Sequence, residues 1–260
     1  MNVNELFGPT IQGEGRYTGY PSVFLRLNGC NLRCAFAGGS ICDTPYTSHR
    51  PEKGINKSTK EWARDIINLL EETGNPHDCH LVITGGEPML QRDEIANLVW
   101  DIHNLGYHPV ITIETNGTIE PNFDLENRVF WSISPKLKTS CRFEGTDVPE
   151  ILRKVHEKNR INLRALDYLT RTPDYQLKFV YSGPDSVKEI KSIISDLIDQ
   201  KAADGIYVKP EEFNVLLMPE GINVEQLDRH AEECVQACIE NGWKFCDREH
   251  IRIWGDKRAV

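Results

Sequence analysis

Ser22-Val-Phe-Leu-Arg-Leu27 runs through Asn28-Gly29 into Cys30-Asn-Leu-Arg-Cys34, and then into Ala-Phe-Ala-Gly-Gly-Ser-Ile-Cys42. The first six residues predict a core strand with apolar residues on both faces. The glycine-rich cysteine loop that follows ends near Tyr46. Beyond it, Ser58 and Glu61 have the spacing of a capping box, and Ala63, Ile66, Ile67 and Leu70 form one helical stripe. Leu81-Val-Ile-Thr84 is short, apolar and β-branched, as a buried parallel strand requires. Strand, loop, helix and strand in this order define a βαβ unit.

The alternation continues along the chain. A helix is predicted from about Asp93 to Leu105, ended by Gly106 in a left-handed conformation. Val110 to Glu114, Val129 to Ile133 and Tyr175 to Tyr181 read as strands. Ser186 and Glu189 read as the start of a helix that buries Ile190, Ile193, Ile194 and Leu197, and Ile206 to Val208 as a short strand. Repeated strand–helix units imply an α/β fold with a largely parallel sheet. Polar insertions are expected at about 47–57 and 147–174. With no linker or repeat, one domain over 1–260 is the simplest organisation.

Composition narrows the function. Thirty Lys and Arg against 39 Asp and Glu give a formal charge of -9, which argues against a broad nucleic-acid surface. No apolar run approaches the roughly 20 residues needed to span a bilayer. Met1 to Gly15 has no apolar signal core, so a cytoplasmic location is expected. Thiols stay reduced there, and eight cysteines suggest a ligand set or buried small hydrophobes rather than disulfides.

Cys30, Cys34 and Cys42 are soft anionic donors on one flexible segment, suited to three irons of a four-iron cluster with the fourth iron open. Gly38 and Gly39 would let the longer interval bend. Spacing alone also permits a zinc loop completed by His49 or Cys79. The Gly85-Gly-Glu-Pro88 segment reads either as a strand-ending turn or as backbone brought close to a polar ligand. Cys234, Cys238 and Cys246 repeat the spacing of the first set. Leu227, Ala231, Cys234, Val235 and Cys238 nevertheless form a helical apolar stripe capped by Asn223 and Gln226, which favours packing over a second cluster.

Longer motifs add a resemblance. Phe7-Gly-Pro-Thr-Ile-Gln-Gly-Glu-Gly15, Phe24 to Cys34, Cys42-Asp-Thr-Pro-Tyr46, Thr84-Gly-Gly-Glu-Pro88, Glu114-Thr-Asn-Gly117 and Ser132-Ile-Ser-Pro-Lys136 cover the first half. Tyr175-Gln-Leu-Lys-Phe-Val180, Leu217-Met-Pro-Glu-Gly221 and His250-Ile-Arg-Ile-Trp-Gly255 extend it to the end. In this combination the chain resembles radical S-adenosylmethionine enzymes, specifically the 7-carboxy-7-deazaguanine synthase family. It departs from the family pattern in one place, as if Ala37-Gly-Gly-Ser-Ile41 were inserted before Cys42.

The resemblance implies a partial TIM-like barrel with a predominantly parallel sheet, a modified radical-SAM core. It implies one [4Fe-4S] cluster on Cys30, Cys34 and Cys42, S-adenosylmethionine, and Mg2+ at Thr44. Gly85, Gly86, Glu87, Glu114, Thr115, Asn116, Ser134 and Lys136 would contact S-adenosylmethionine, with Glu87 accepting from its ammonium. Gln12, Glu14 and Arg26 would bind a carboxypterin, with Lys178 and His250 as further pocket candidates. Without the resemblance, Arg26 would read as a surface charge and Thr44 as a turn residue, and His250 as a packed terminal residue just as well as a ligand.

The implied reaction is that of a carbon–nitrogen lyase, converting 6-carboxy-5,6,7,8-tetrahydropterin to 7-carboxy-7-deazaguanine with release of ammonia. An electron donor such as flavodoxin or ferredoxin and a homodimer are implied as well, without direct contact to nucleic acid or membrane. A glycyl-radical activating enzyme would share the cluster but need a protein-substrate groove, and a nonenzymatic iron–sulfur or zinc protein would not cleave the cofactor.

Overall fold

A computed structural model of the 260-residue chain describes residues 1–37, 40–122, 129–255 and 257–260. The predicted bend at Gly38 and Gly39 lies outside the described residues. Strands β1 (Asn2–Ile11), β2 (Pro21–Leu27) and β3 (Ile55–Asn56) precede helix α1 (Thr59–Glu71), β4 (His80–Gly85), α2 (Arg92–Asn104), β5 (Ile111–Thr115) and β6 (Val129–Ile133). Then come α3 (Glu150–Asn159), α4 (Leu163–Leu169), β7 (Tyr175–Tyr181), α5 (Pro184–Ala203), β8 (Val215–Pro219), α6 (Val224–Asn241), β9 (Lys244–Phe245) and α7 (Glu249–Trp254). Among the described residues these strands form one sheet in the order β3-β1-β2-β4-β5-β6-β7-β8-β9. From β2 to β9 all pairs are parallel, whereas β1 pairs antiparallel with β2 and β3. The sheet is therefore mixed and mostly parallel, with no hydrogen-bonded closure between its ends.

The βαβ units form for the reasons read in the sequence. Ser58 and Glu61 make the capping box of α1, which buries Trp62, Ala63, Ile66, Ile67 and Leu70. The cap stabilises by about 1 kcal/mol and each buried side chain by roughly 1.5–3 kcal/mol, so packing rather than capping holds the helix down. Gly106 follows α2 with φ +85°, the left-handed stop expected of it.

Only one strand face is apolar throughout. Leu25, Leu27, Ile83, Ile113, Ile133, Leu177, Phe179 and Leu217 belong to the helix-covered core. Their alternating neighbours Thr84, Ser132, Gln176 and Lys178 are polar yet buried, and register aligns Arg26 with Thr84, Glu114 with Ser132, and Ser132 with Gln176. Strand β2 carries apolar residues on both faces as read, with Val23, Leu25 and Leu27 in the helix-side core and Phe24 buried beside Arg26 on the inner face. That face is where function concentrates.

Further expectations change. Ile206 to Val208 is not a strand. It follows α5 as irregular chain with Tyr207 85% exposed, and the strand of this region is the fully buried Val215–Pro219. Helix α5 begins earlier than Ser186, because Pro184 occupies its first turn, where a fixed φ and a missing N–H cost nothing. Ser186 Oγ instead accepts from the Ser182 N–H. In α6 the buried residues are Leu227, Cys234, Ala237 and Cys238, while Val235 faces outward. The 147–174 segment is largely helical, containing α3 and α4.

Candidate active site

The parallel strands all end on one side, and the loops leaving them surround a cavity of about 530 Å³. Its walls include Cys30, Cys34 and Cys42, which are the three cysteines that line it, together with Gln12, Glu14, Arg26, Thr44, Glu114, Lys178 and His250. A site outside the carboxyl ends of parallel strands is the expected place for a ligand.

The cysteine loop is a small hairpin. Ala35 bridges Ile41, Phe36 N–H donates to the Ser40 carbonyl at 2.7 Å, and Cys42 N–H donates to the Cys34 carbonyl at 3.2 Å. The long interval thus returns Cys42 to the side of Cys34. A second segment props the hairpin: Ala35 N–H donates to the Ser140 carbonyl at 2.8 Å and Arg142 N–H to that of Ala35 at 2.9 Å. His156 of α3 is fully buried. Its Nδ1 accepts from Arg33 N–H at 3.1 Å, and its Nε2 lies 3.0 Å from Ser140 Oγ. Since Ser140 Oγ donates to the Leu137 carbonyl, the ring must be neutral and protonated at Nε2.

Glycines seat the loop against β4. A side chain at Gly86 would lie 2.3 Å from the Gly29 carbonyl oxygen and 2.8 Å from Cys30 Cβ, and one at Gly85 2.2 Å from the Leu27 oxygen. Burial pushes the Cys30 thiol up to about 12 and raises Cys34 and Cys42 as well. Thiolates in so dry a place need a metal partner to persist. Three such donors with no fourth cysteine in the wall fit an iron–sulfur cluster with one open iron.

The zinc alternative fares worse. His49 Nε2 sits 3.1 Å from the Cys34 carbonyl, and Cys79 precedes β4, at the opposite end of the sheet. Among the described residues no group of three or more His, Cys, Asp and Glu is arranged to hold a single ion. In the second cysteine set, Cys234 and Cys238 pack in the helix-side core, whereas Cys246 packs with Leu216 and Met218 on the other face.

Not every expected contact faces the cavity. Glu87 is fully buried, and its carboxylate accepts from Thr115 Oγ1 (2.7 Å), Asn116 N–H (2.7 Å) and Met89 N–H (3.0 Å). In this structure the Glu87 carboxylate is taken up by protein donors and is not part of the cavity wall. It caps the short 3-10 turn Pro88–Gln91 and fastens the β5 loop. Gly85, Gly86, Glu114, Thr115, Asn116, Ser134 and Lys136 do line the cavity, with Lys136 Nζ donating to Ser134 Oγ at 3.0 Å.

The same cavity holds a buried charge network. Glu14 accepts from Lys178 through Oε2 and from Arg248 Nε through Oε1 at 2.7 Å, with His250 Nε2 3.9 Å away. Burial pushes the Glu14 carboxyl up, but Lys178 and Arg248 outweigh it and hold Glu14 well below the usual range. His250 is pushed down by burial, so it is neutral near pH 7. Gly13 leaves room for this ring, since a Cβ there would meet Nδ1 at 2.2 Å. Gln12 Nε2 donates to Glu114 Oε1 at 3.1 Å, and Arg26 Nε to Glu5 Oε1 at 2.6 Å. Thr44 presents its hydroxyl 3.3 Å from Cys42 Sγ.

Sequence reading missed Arg248 and His156. Neither belongs to a recognisable spacing, and the partners Glu14 and Arg33 stand 234 and 123 positions away.

A mostly parallel sheet whose mouth holds three clustered cysteines beside glycine-backed polar loops defines a radical S-adenosylmethionine enzyme. The 4Fe-4S single cluster domain family matches residues 11–129. The chain is 37% identical to the 7-carboxy-7-deazaguanine synthase of Rhodopirellula baltica over 96% of its own length and 85% of that protein. For the Halobacterium salinarum synthase the identity is 36%, covering 98% and 91%. The crystal structure of QueE from Escherichia coli superposes with a TM-score of 0.62 at 22% identity, covering 96% of this chain and 94% of that one. The chain belongs to the 7-carboxy-7-deazaguanine synthase family.

Proposed function

We propose that the chain contracts the ring of 6-carboxy-5,6,7,8-tetrahydropterin to 7-carboxy-7-deazaguanine and releases ammonia. Substrate and products carry the same atoms, so the conversion is redox-neutral overall. What supports the reading most is that the clustered thiols of Cys30, Cys34 and Cys42 and the charge network around Glu14 share one cavity wall. In this reading Cys30, Cys34 and Cys42 would hold a four-iron cluster, which with S-adenosylmethionine would supply reversible radical hydrogen transfer at substrate C6, the hydrogen taken there being returned to the product.

The chain's own residues bind and orient. Gly85, Gly86, Glu114, Thr115, Asn116, Ser134 and Lys136 hold S-adenosylmethionine, with backbone oxygens near Gly86 serving its ammonium in place of Glu87. Gln12 and Glu14 take the amide and amino edge of the pterin, with Lys178 and neutral His250 beside them, and the free guanidinium nitrogens of Arg26 take its carboxylate. Thr44 would offer its hydroxyl to Mg2+, an ion that takes oxygen donors and would draw the others from substrate and water. The inner polar face fits a partial TIM-like barrel of radical-SAM type, with 1–260 as one domain. An electron donor such as flavodoxin or ferredoxin, a homodimer and a cytoplasmic setting complete the proposal. Among the described residues no helix is long and apolar enough to cross a membrane.

The test is anaerobic reconstitution, then product analysis with S-adenosylmethionine, reductant, magnesium and the carboxypterin. The deazaguanine acid with one equivalent of ammonia is expected; cofactor cleavage without either product would overturn the substrate assignment.

A further inference from the structure

Arg248 is 8% exposed and spends its guanidinium on three separate loops. Nε donates to Glu14 at 2.7 Å, one terminal nitrogen donates to the Gly221 carbonyl at 2.7 Å, and the other donates to Asp43 Oδ2 at 2.6 Å. Glu14 belongs to the loop between β1 and β2, and Gly221 to the loop between β8 and α6. Asp43 lies between Cys42 and Thr44. We infer that Arg248 is a positioning residue that sets the segment after the third cysteine in register with the carboxypterin-recognising carboxylate of Glu14.

The argument is one of shape as well as charge. A guanidinium carries five N–H donors in a rigid plane, so one residue can fix three acceptors at defined angles. A lysine ammonium keeps the charge but is a flexible point donor. Asp43 is joined by peptide bonds to both Cys42 and Thr44, so a shift of Asp43 moves the segment that presents them. Without Arg248, Glu14 would keep Lys178 but lose its second anchor, and Asp43 would face the cavity unpaired. Substrate would then meet a recognition edge no longer aligned with the loop beside it.

This inference rests on the proposed carboxypterin reading. The experiment compares wild-type holoenzyme with Arg248→Lys, Arg248→Gln, Asp43→Asn and the Arg248→Gln/Asp43→Asn double variant. It measures iron content, carboxypterin dissociation constant, KM and kcat, and hydrogen exchange of the 43–47 amides without substrate. Both Arg248 variants are expected to keep the wild-type iron content, to weaken carboxypterin binding about tenfold or more, and to exchange the 43–47 amides faster. The double variant is expected to bind no worse than Arg248→Gln, because Asp43 acts through the guanidinium. Wild-type affinity in Arg248→Lys, additive losses in the double variant, or unchanged exchange would each overturn the inference. Failure of the wild type itself to bind the carboxypterin would overturn the substrate reading instead, and the strut role with it.

Discussion

Cys42 N–H donates to the carbonyl of Cys34 at 3.2 Å, although seven residues separate them in the chain. On either side of the sequence departure, the Ala35–Ile41 bridge and this bond bring the backbone of Cys42 back to that of Cys34. Replacing Cys42 with Ala should remove a cluster ligand while leaving this backbone bond available. We expect iron per chain to fall sharply with the circular dichroism spectrum unchanged. Wild-type iron content and cluster absorbance would reject the ligand assignment.

Gly86→Ala should damage fold and cluster together. The new methyl meets the Gly29 oxygen at 2.3 Å, a backbone atom that cannot swing aside, so the cysteine turn must move. Overpacking of this kind costs about 1–3 kcal/mol. Urea denaturation of the apoprotein measures it, and a loss near zero would contradict the tight seating.

For Glu87→Gln the expected damage is to stability rather than to cofactor affinity. The amide keeps size but replaces an acceptor-only carboxylate that takes three protein donors. A loss of about 1–3 kcal/mol is expected, with the S-adenosylmethionine dissociation constant changed by less than about threefold, under 1 kcal/mol. A large rise in that constant at unchanged stability would restore the ammonium-acceptor role.

His156 predicts a pH signature. Burial holds it down to about 4, against 6.5 for the free side chain. In the unfolded chain it takes up a proton below about pH 6.5, in the fold only near 4, so its contribution is full above 6.5 and is lost as pH falls toward 4. The most it can contribute is ~3 kcal/mol. His156→Asn apoprotein should therefore show a flatter decline in urea stability between pH 6.5 and 4 than the wild type, and an equal slope would contradict the buried neutral ring.

How much of this could be read from residues alone follows from what each feature depends on. Helices α1 and α2 were legible because their stripes, caps and the stop at Gly106 are local. Strand β1 was not read as a strand: Gly8, Pro9 and its polar residues hide the pattern, and its pairing with β2 and β3 is tertiary. Val215–Pro219 is a continuous apolar run that went unread as a strand, because Ile206 to Val208, with β-branched residues but no partner to pair with, drew the strand reading of this region. The cavity candidates came from the motif resemblance. A motif names Glu87 without saying which way its side chain turns, and the fold alone shows it directed at Thr115 and Asn116. Arg248 and His156 left no local trace, since long-range hydrogen bonds define them.

The central claim is that three thiols leave one iron for the cofactor. Electron–nuclear double resonance on the reduced, reconstituted protein with 15N-amine- and 17O-carboxylate-labelled S-adenosylmethionine tests it most directly. The account predicts hyperfine coupling from both labels to the cluster, absent in Cys42→Ala. A cluster or zinc ion fully ligated by protein, with neither label coupled, would contradict it.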